Sequence, residues 1–553
     1  LKKQKTETMK KPKLALIPSG YGDGKLYSVM PTNGSGDFTF SRGSGATRIN
    51  KDGLIETMTE KLGDELVTNG YFSADSDWTK AAEWTISGGK AIATSANNGS
   101  DLLQDLGLVS GTTYRLEVTI SGYTNGSLRM NFLGTGGNIG DFNSNGTFVG
   151  YAQGGSDTRL QISATTTTTT LSIDNVSVKE VISGLDTPRL EYPLIDGVVS
   201  GCPSLLLEPS RTNLITYSED FSNAAWTKGG SSVVNNNAIS PDGSLNASKL
   251  VEDTSSGNHR ILPNITVNSQ KHAFSVFVKK DTRNWIFLRL DGLASDQRTW
   301  FDLENGVIGA INSDHNAEIV SLSNGWYRCS VSIKGTTYQA AYPILGIADA
   351  DSSSSYIGDG TSGLYIYGAQ IEAASYPTSY IPTNGTTVTR AADSANGAGD
   401  ASTFNDSEGV LMVETKLLTE LGNDSMISLS SVSDDEVRFR FYTSGVLLIK
   451  VGDAQPSYDY LFTDNTKLLI KWGNGSFNFF VNGFNVLTQT YSVAPSGINK
   501  LNFSHYNLTS FPFYGKTKQI QYFQTALTDS ELEELTSWES FTAMAYGQTY
   551  SIK

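Results

Sequence analysis

Apolar and polar residues alternate along several stretches of this 553-residue chain. In residues 114–120 the apolar side chains occupy every second position, and charged or hydroxyl side chains lie between them. A period of two is typical of a β-strand with one face in a core and one face in water. Residues 171–179 alternate in the same way, and the apolar stretches at 274–279 and 364–372 are typical of the interior and closing strands of a further domain. These stretches predict an all-β protein built from tandem β-sandwich domains.

Two of the predicted domains share an order of landmarks. An opening stretch with aromatic residues precedes Trp-Thr-Lys at 78–80, and a second such stretch precedes Trp-Thr-Lys at 226–228. The interior and closing strands named above then follow in the same order in both places. We therefore predict two related sandwiches, of which the second is larger.

The last part of the chain carries strong turn signals. Asn474-Gly475 and Asn482-Gly483 separate apolar stretches, and Asn-Gly supplies the positive φ angles that tight hairpins need. Thr528 and Glu531 form a capping-box pattern, with Leu527 and Leu532 placed as a hydrophobic staple. These signals predict paired strands followed by one short helix over residues 529–535.

Composition and charge exclude several classes of partner. The chain has 55 Gly and 15 Pro residues, which favours many tight turns between short strands. Its 41 basic and 56 acidic residues give a net charge of −15, which repels phosphate backbones and anionic membranes. We find no apolar run of about 18 residues and no secretory signal after the basic residues 2–13. We expect no nucleic-acid partner and no membrane insertion.

Shifts in composition divide the chain into six parts. They are an extended N-terminal attachment and oligomerisation segment (1–64), a first sandwich (65–185), a connecting segment (186–212), a second, larger sandwich (213–390), a linker (391–404) and a third sandwich with a short C-terminal helix (405–553). The N-terminal segment has too little apolar content for a core of its own, so we expect it to become ordered on a neighbouring copy or a docking protein. The start is either Leu1 or Met9. Cys202 and Cys329 are predicted to be buried, reduced thiols.

Three segments resemble the virion structural proteins of tailed bacteriophages in the identity and order of their residues. They are the leader, including LALIPSGY at 14–21 and GDFTFSRGS at 36–44, the connecting stretch CPSLLLEPSRTN at 202–213, and YPTSYIP at 376–382. The resemblance implies a fibre or capsid-decoration protein. It would be located in the virion, assembled in the bacterial host cytoplasm, bound to other virion proteins through the N-terminal segment, and homotrimeric. Head or tail location stays open. In that family the connecting stretch closely follows the leader, so we expect the leader to pair with residues 205–207.

Two further resemblances concern the sandwiches. Asn69-Gly70-Tyr71-Phe72 and Ile173-Asp174-Asn175-Val176 resemble the opening and closing strands of jelly-roll carbohydrate-binding modules. Residues 405–553 resemble laminin-G and concanavalin A-like lectin domains. Both imply glycans as partners. The first also implies a structural calcium ion as the one conceivable cofactor, with Asp174 as a candidate ligand. Calcium needs six to eight oxygen ligands, so Asp174 capping a turn is the alternative.

The chain lacks the familiar catalytic motifs. Its four histidines lie in unrelated contexts, and we find no zinc, phosphate-loop or nucleophile-elbow motif. We therefore predict a protein that is not an enzyme. Aromatic side chains stack on the apolar faces of sugars, which makes Trp84, Tyr123, Trp78 and Trp226 candidate glycan-binding residues. The alternative is that they fill sandwich cores, and it is favoured for Trp78 and Trp226 because they recur at matching places.

The sequence thus predicts a structural phage virion protein that displays lectin-like domains for attachment to host-surface or environmental glycans. Two alternatives stay open. A tail-associated glycan depolymerase would need a pair of carboxylates facing one sugar. A secreted bacterial adhesin would need an export signal.

Overall fold

The computed structural model of the protein describes residues 10–58, 61–134, 136–183, 185–265, 271–291, 298–334, 342–418, 424–442, 444–459 and 466–537. Strands dominate these residues, which confirms the all-β prediction. The chain forms two compact units, one from residues 1–58 and 185–553 and the other from residues 59–184. Within the described residues, no helix has the length and apolar character that a bilayer crossing needs.

The strands before the connecting segment are β1 (Leu14–Leu16), β2 (Tyr21–Gly22), β3 (Lys25–Leu26), β4 (Phe38–Ser41), β5 (Ala46–Ile49), β6 (Ile55–Met58), β7 (Lys61–Glu65), β8 (Thr79–Lys80), β9 (Trp84–Ser87), β10 (Lys90–Ala96), β11 (Asp101–Asp105), β12 (Thr113–Asn125), β13 (Leu128–Phe132), β14 (Asn138–Phe142), β15 (Gly146–Gln153), β16 (Arg159–Ala164) and β17 (Thr169–Ser183). The next strands are β18 (Arg189–Glu191), β19 (Leu194–Ile195), β20 (Val198–Val199), β21 (Ser204–Leu207), β22 (Arg211–Asn213), β23 (Trp226–Gly229), β24 (Ser231–Ile239), β25 (Leu245–Glu252), β26 (Ser256–Gly257), β27 (His259–Pro263), β28 (Ala273–Lys280), β29 (Trp285–Asp291), β30 (Arg298–Asp302), β31 (Val307–Ile308), β32 (His315–Ser321), β33 (Tyr327–Ile333), β34 (Tyr342–Ala348), β35 (Tyr356–Ile357) and β36 (Gly363–Glu372). The last elements are β37 (Val388–Arg390), β38 (Ser394–Asn396), β39 (Gly409–Leu417), β40 (Ser425–Ser430), β41 (Asp435–Phe441), β42 (Val446–Val451), β43 (Ser457–Asp459), β44 (Thr466–Gly473), β45 (Ser476–Val481), β46 (Phe484–Thr490), β47 (Lys500–Asn502), β48 (Gly515–Phe523) and the helix α1 (Asp529–Ser537).

The unit of residues 59–184 is a two-sheet sandwich, here called the inserted sandwich. One sheet has the order β15-β12-β17-β10-β9, with β7 also on β17, and the other has the order β14-β13-β16-β11-β8. The alternation in β12 buries Tyr114, Leu116, Val118 and Ile120 in the core between the sheets. Lys61 in β7 is the cross-strand partner of Ser183 in β17, so the two ends of this sandwich are neighbours.

Residues 226–372 form a second sandwich, here called the larger sandwich, with the sheets β24-β25-β36-β28-β33-β32 and β23-β27-β34-β29-β30-β31. Its strand order repeats that of the inserted sandwich, with β36 in the place of β17 and β28 in the place of β12. It adds β31 and β32 at the sheet edges. The predicted internal relationship is confirmed.

A bulge in the closing strand is also repeated. Asn175 and Gly368 have positive φ angles of 52° and 55°. In each case the amide of the next residue donates to the opening segment, from Val176 to the Gly70 carbonyl at 3.0 Å and from Ala369 to the Ser218 carbonyl at 2.9 Å. The bulge therefore anchors the opening segment in both sandwiches.

The third sandwich packs the sheet β18-β21-β48-β39-β44-β45-β46 against the sheet β43-β42-β41-β40-β47. A four-stranded sheet, β2-β3-β4-β38, adds Leu26, Phe38, Phe40 and Ala395 to the same core. The leader and the expected linker over 391–404 are thus parts of a folded domain. The leader needs no core of its own, because its short strands place their apolar side chains in the core of the third sandwich. The expectation that it becomes ordered on another molecule is therefore wrong for its described residues.

The leader and the connecting segment meet on one strand. Leu14–Leu16 pairs with residues 520–522 of β48, and Leu205–Leu207 pairs with residues 515–517 of the same strand. The two segments therefore lie end to end along the edge of β48. This corrects the expectation that they pair with each other.

Local signals near the C-terminus behave as predicted. The turn residues Asn474, Gly475, Asn482 and Gly483 all have positive φ angles. Thr528 receives hydrogen bonds from, and donates them to, Glu531 at 2.7–3.3 Å, as in a capping box. The two cysteines are both free, but only Cys329 is buried; Cys202 is exposed.

Candidate functional site

The three candidate tryptophans belong to cores. Trp78, Trp84 and Trp226 are 8%, 2% and 2% exposed. Trp78 Nε1 donates to the Asn69 carbonyl at 3.2 Å, and Trp226 Nε1 donates to the Tyr217 carbonyl at 2.8 Å. An indole enclosed in this way has no face available for a sugar, so the interpretation of these residues as stacking platforms is corrected in favour of core filling.

Tyr123 and Asp174 also have local roles. Tyr123 is half-buried against the core of the inserted sandwich, and its hydroxyl donates to the Gly126 carbonyl at 3.1 Å. Asp174 Oδ1 accepts the amide of Asn175 at 2.7 Å, at the bulge. Across the described ranges, no three His, Cys, Asp or Glu side chains converge as metal ligands would.

A cluster of buried charges lies where separate segments of the first unit meet. This buried charge cluster consists of Arg42, Arg189, Glu208, Arg390 and Asp393, all at most 5% exposed. Arg189 pairs with Asp393 and also with Glu208, at 2.6 Å from Oε2. Arg390 lies 3.1 Å from the same Glu208 oxygen, and Arg42 lies 3.3 Å from Asp393 Oδ1. Each of the three arginines therefore pairs with at least one of the two carboxylates, as buried charges require.

The cluster is completed by hydrogen bonds from a neighbouring loop. The amide and the hydroxyl of Ser379 donate to the two oxygens of Glu208 at 2.8 and 2.6 Å. Burial alone would raise the pKa of Glu208, but Arg390 and Arg189 outweigh it and hold that pKa well below its usual range. Glu208 is therefore ionised in the folded protein at neutral pH. The cluster ties together the leader, the connecting segment, the loop of residues 375–380 and the segment of residues 390–393.

A cleft with a volume of about 600 Å³ lies beside this cluster. Its walls come from the β5–β6 hairpin of the leader, the connecting segment, the outer face of the larger sandwich, the loop of residues 375–380 and the β39 and β48 strands of the third sandwich. The volume is in the range of sites for small molecules and short oligosaccharides. Every wall belongs to the first unit.

Arg328 is the most notable side chain in the cleft. Its guanidinium lies 5.3 Å from the centre of the Phe277 ring, and one of its terminal nitrogens donates to Ser275 Oγ at 2.9 Å. Its Nε atom is buried without a hydrogen-bond partner. Burial lowers the pKa of Arg328, which stays cationic because an arginine titrates far above neutrality. No carboxylate of the described residues forms an ion pair with it.

A pair of carboxylates lies near the leader hairpin. The Tyr367 hydroxyl is 3.1 Å from Glu219 Oε1 and 2.9 Å from Asp242 Oδ2, and the Tyr380 hydroxyl donates to the same Glu219 oxygen at 3.0 Å. Burial raises the pKa of Glu219. Burial would also raise the pKa of Asp242, but hydrogen bonds from Ser240 and other donors outweigh it and lower that pKa. The Tyr367 hydroxyl occupies the space between the two carboxylates.

Sequence reasoning missed the residues of the cluster and the cleft. Arg42, Glu208 and Ser379 each lie inside a segment that carries the phage resemblance, and that shared membership was the available signal. Arg328 had none, because it follows Tyr327 in an ordinary alternating strand. Arg328 becomes part of a cleft only because the larger sandwich, the leader hairpin and the third sandwich pack around it.

No family model matches the chain, and no curated protein matches it. Among solved structures, the chain is similar to the CBM40 module of the Ruminococcus gnavus IT-sialidase bound to α2,3-sialyllactose, at 15% identity over 26% of this chain and 93% of that one, with a TM-score of 0.21. It is similar to the N-terminal CBM22-1–CBM22-2 tandem of Paenibacillus barcinonensis Xyn10C, at 12% identity over 57% and 98% of the two chains, with a TM-score of 0.23. It is also similar to domains LG4-5 of the mouse laminin α1 chain, at 10% identity over 50% and 90%, with a TM-score of 0.17. Similarity at these TM-scores supports no conclusion about what this chain binds.

Proposed function

We propose that this protein is a structural component of a tailed-phage virion, a fibre or capsid decoration that displays lectin-like β-sandwiches for attachment to glycans. The observation that carries the proposal is the buried charge cluster. Arg42, Glu208 and Ser379 come from the three segments that resemble phage virion proteins, and they meet in one place. The three segments that carry the resemblance therefore contribute to one connected set of buried hydrogen bonds and ion pairs.

The glycan-binding part of the proposal is supported by the cleft beside the cluster. It combines charged, hydroxyl and aromatic side chains in a concave surface of suitable volume. A single such site binds weakly, and many copies on a particle would raise the avidity. We propose a homotrimer as the displayed form, bound to other virion proteins through surfaces that include the leader.

We further propose that the protein is not an enzyme. Glycoside hydrolysis needs two carboxylates with a sugar between them. In the Glu219–Asp242 pair that space holds the Tyr367 hydroxyl. Incubation of the protein with capsular polysaccharide of the producing host tests this directly: chain shortening, seen by size-exclusion chromatography, would favour the depolymerase alternative.

The virion location is tested by mass spectrometry and cryo-electron microscopy of purified particles from the producing culture. We expect this chain in stoichiometric amounts on the particle, and the maps would distinguish head from tail. Absence of the chain from particles that are otherwise complete would contradict the proposal. A glycan array probed with the oligomer at high density tests the binding role separately.

A further inference from the structure

The cleft has more basic than acidic side chains, in contrast to the rest of this acidic protein. Five basic residues and three acidic residues line it. Glu208 is engaged by the buried charge cluster, Glu191 and Lys516 pair with each other at 2.6 Å, and Arg48 pairs with Glu56 at 2.8 Å. The third acidic residue of the lining, Glu318, is exposed. Arg328 and Lys271 are cations of the lining outside these pairs, and they lie in the same cleft as Glu318. Because charges more than about 8 Å apart are screened at physiological salt, these side chains decide what the cleft attracts.

Arg328 is held in a suitable orientation for a ligand. Its plane is fixed by the Phe277 ring on one side and by the hydrogen bond to Ser275. It lines the cleft, and although Glu372, Glu208, Glu318 and Glu191 are near enough to favour its charge, none of the carboxylates in the described part of the chain forms an ion pair with it. A fixed guanidinium presents parallel N–H donors that match the two oxygens of a carboxylate.

The neighbours of Arg328 suit the remainder of a sugar. Asn316 and Ser375 contribute an amide and a hydroxyl to the lining, and Tyr376 contributes an aromatic ring. Amides and hydroxyls pair with sugar hydroxyl groups, and an aromatic ring packs on the apolar face of a pyranose. Lys271 supplies a second cation at the same surface.

We propose that the cleft binds an acidic sugar residue of a glycan, with the sugar carboxylate on Arg328 and its ring against Tyr376. This inference rests on the proposed glycan-binding function and specifies the ligand class. It also assigns a specificity-determining residue, since a neutral sugar gains nothing from the guanidinium.

The test is titration of the full-length protein by isothermal calorimetry with 3′-sialyllactose, digalacturonate and lactose. We expect binding of at least one acidic probe and roughly tenfold weaker binding of lactose, because a hydrogen bond to a charged group contributes more than a neutral one. Arg328→Gln should weaken the acidic probe at least about tenfold and leave lactose unchanged. Arg328→Lys should recover only part of the loss, because it keeps the charge but not the two parallel donors.

The matched control is Arg129→Gln, which removes an arginine of the inserted sandwich that pairs with Asp141 at the surface. It should bind like the wild type. Affinities are compared only among variants whose melting temperature equals that of the wild type. Equal affinity for lactose and the acidic probes, or acidic binding unaffected by Arg328→Gln, would overturn the inference and leave glycan binding intact. Absence of binding to any glycan, here and on the array, would overturn the glycan-binding function as well.

Discussion

The inserted sandwich and the larger sandwich share one strand order but are used differently. In the inserted sandwich the first and last strands pair with each other, and the domain is a compact unit of its own. In the larger sandwich the outer face of one sheet is covered by the leader hairpin, whose Ile55 packs with Phe277, Trp326 and Tyr367. The repeated fold is therefore a scaffold, and the distinct features of this protein come from the segments packed on one copy of it.

The repeated bulge shows this difference at a single position. At Gly368 a Cβ atom would come within 2.9 Å of Phe277 Cδ2 and 3.0 Å of Tyr380 Cζ. The corresponding residue of the inserted sandwich, Asn175, is exposed and keeps a side chain. Both positions require a positive φ angle, which glycine and asparagine tolerate best. Only the covered copy also requires the absence of a side chain.

The largest effect is expected from breaking the buried charge cluster. Arg189→Met leaves Glu208 and Asp393 without their shared partner in a site closed to water. Breaking a buried ion pair from one side costs about 3–5 kcal/mol. Arg390 still pairs with Glu208 and Arg42 with Asp393, so we expect a loss at or below the lower end of that range and unfolding of the first unit at lower urea concentration. The transition of the inserted sandwich, followed by hydrogen exchange and mass spectrometry, should not move. The surface variant Arg129→Met should change neither transition, and similar effects of both variants would contradict the assignment.

The tryptophan pair tests the correspondence between the two sandwiches. Trp78→Phe and Trp226→Phe each remove an indole hydrogen bond to a carbonyl nine residues earlier. Both bonds are partly buried, so leaving the acceptor unpaired should cost toward the lower end of about 1–3 kcal/mol. We expect comparable losses, each confined to the sandwich that carries the substitution, in hydrogen-exchange protection. A loss in only one sandwich would break the correspondence.

The bulge residues sharpen the comparison. Gly368→Asn inserts a side chain where Phe277 and Tyr380 already fill the space, and overpacking of this kind costs about 1–3 kcal/mol. The reverse exchange, Asn175→Gly, should change stability by no more than about 0.5 kcal/mol. Chemical unfolding of the two variants measures both values. Equal costs for the two variants would show that Phe277 and Tyr380 do not restrict the side chain at position 368.

A smaller effect concerns pH. Because burial raises the pKa of Glu219, the folded state keeps this proton to higher pH than the unfolded chain does. The stability that Glu219 contributes is therefore present below its unfolded pKa of about 4.3 and is lost as the pH rises through the folded value. Glu219→Gln should gain stability relative to the wild type between pH 4 and pH 7. Melting curves that stay parallel across this range would contradict the shift.

The smallest effect is expected from excision of the inserted sandwich. Lys61 and Ser183 are cross-strand neighbours, so a short Gly-Ser turn replacing residues 62–182 should close the gap. Cα atoms of paired residues lie about 5 Å apart. We expect the first unit to melt within about 0.5 kcal/mol of the intact protein by calorimetry. Loss of its cooperative transition would show that the two units depend on each other.

Period and turn chemistry made much of the fold predictable from sequence. The alternation at 114–120, the Asn-Gly hairpins and the Thr528–Glu531 cap depend on residues within one or a few positions of each other. Such signals are present in the chain before it folds. The same is true of the repeated Trp-Thr-Lys landmarks, which marked two copies of one fold.

The buried charge cluster and the cleft depended on the tertiary structure. Arg42 and Asp393 are 351 positions apart, and nothing near either residue indicates the other. Composition at 391–404 and in the leader is typical of linkers, because a strand that completes another segment's core needs few apolar side chains of its own. The sequence by itself thus determined the sandwiches, and only long-range packing decided that the leader belongs to them and that Arg328 faces a cleft.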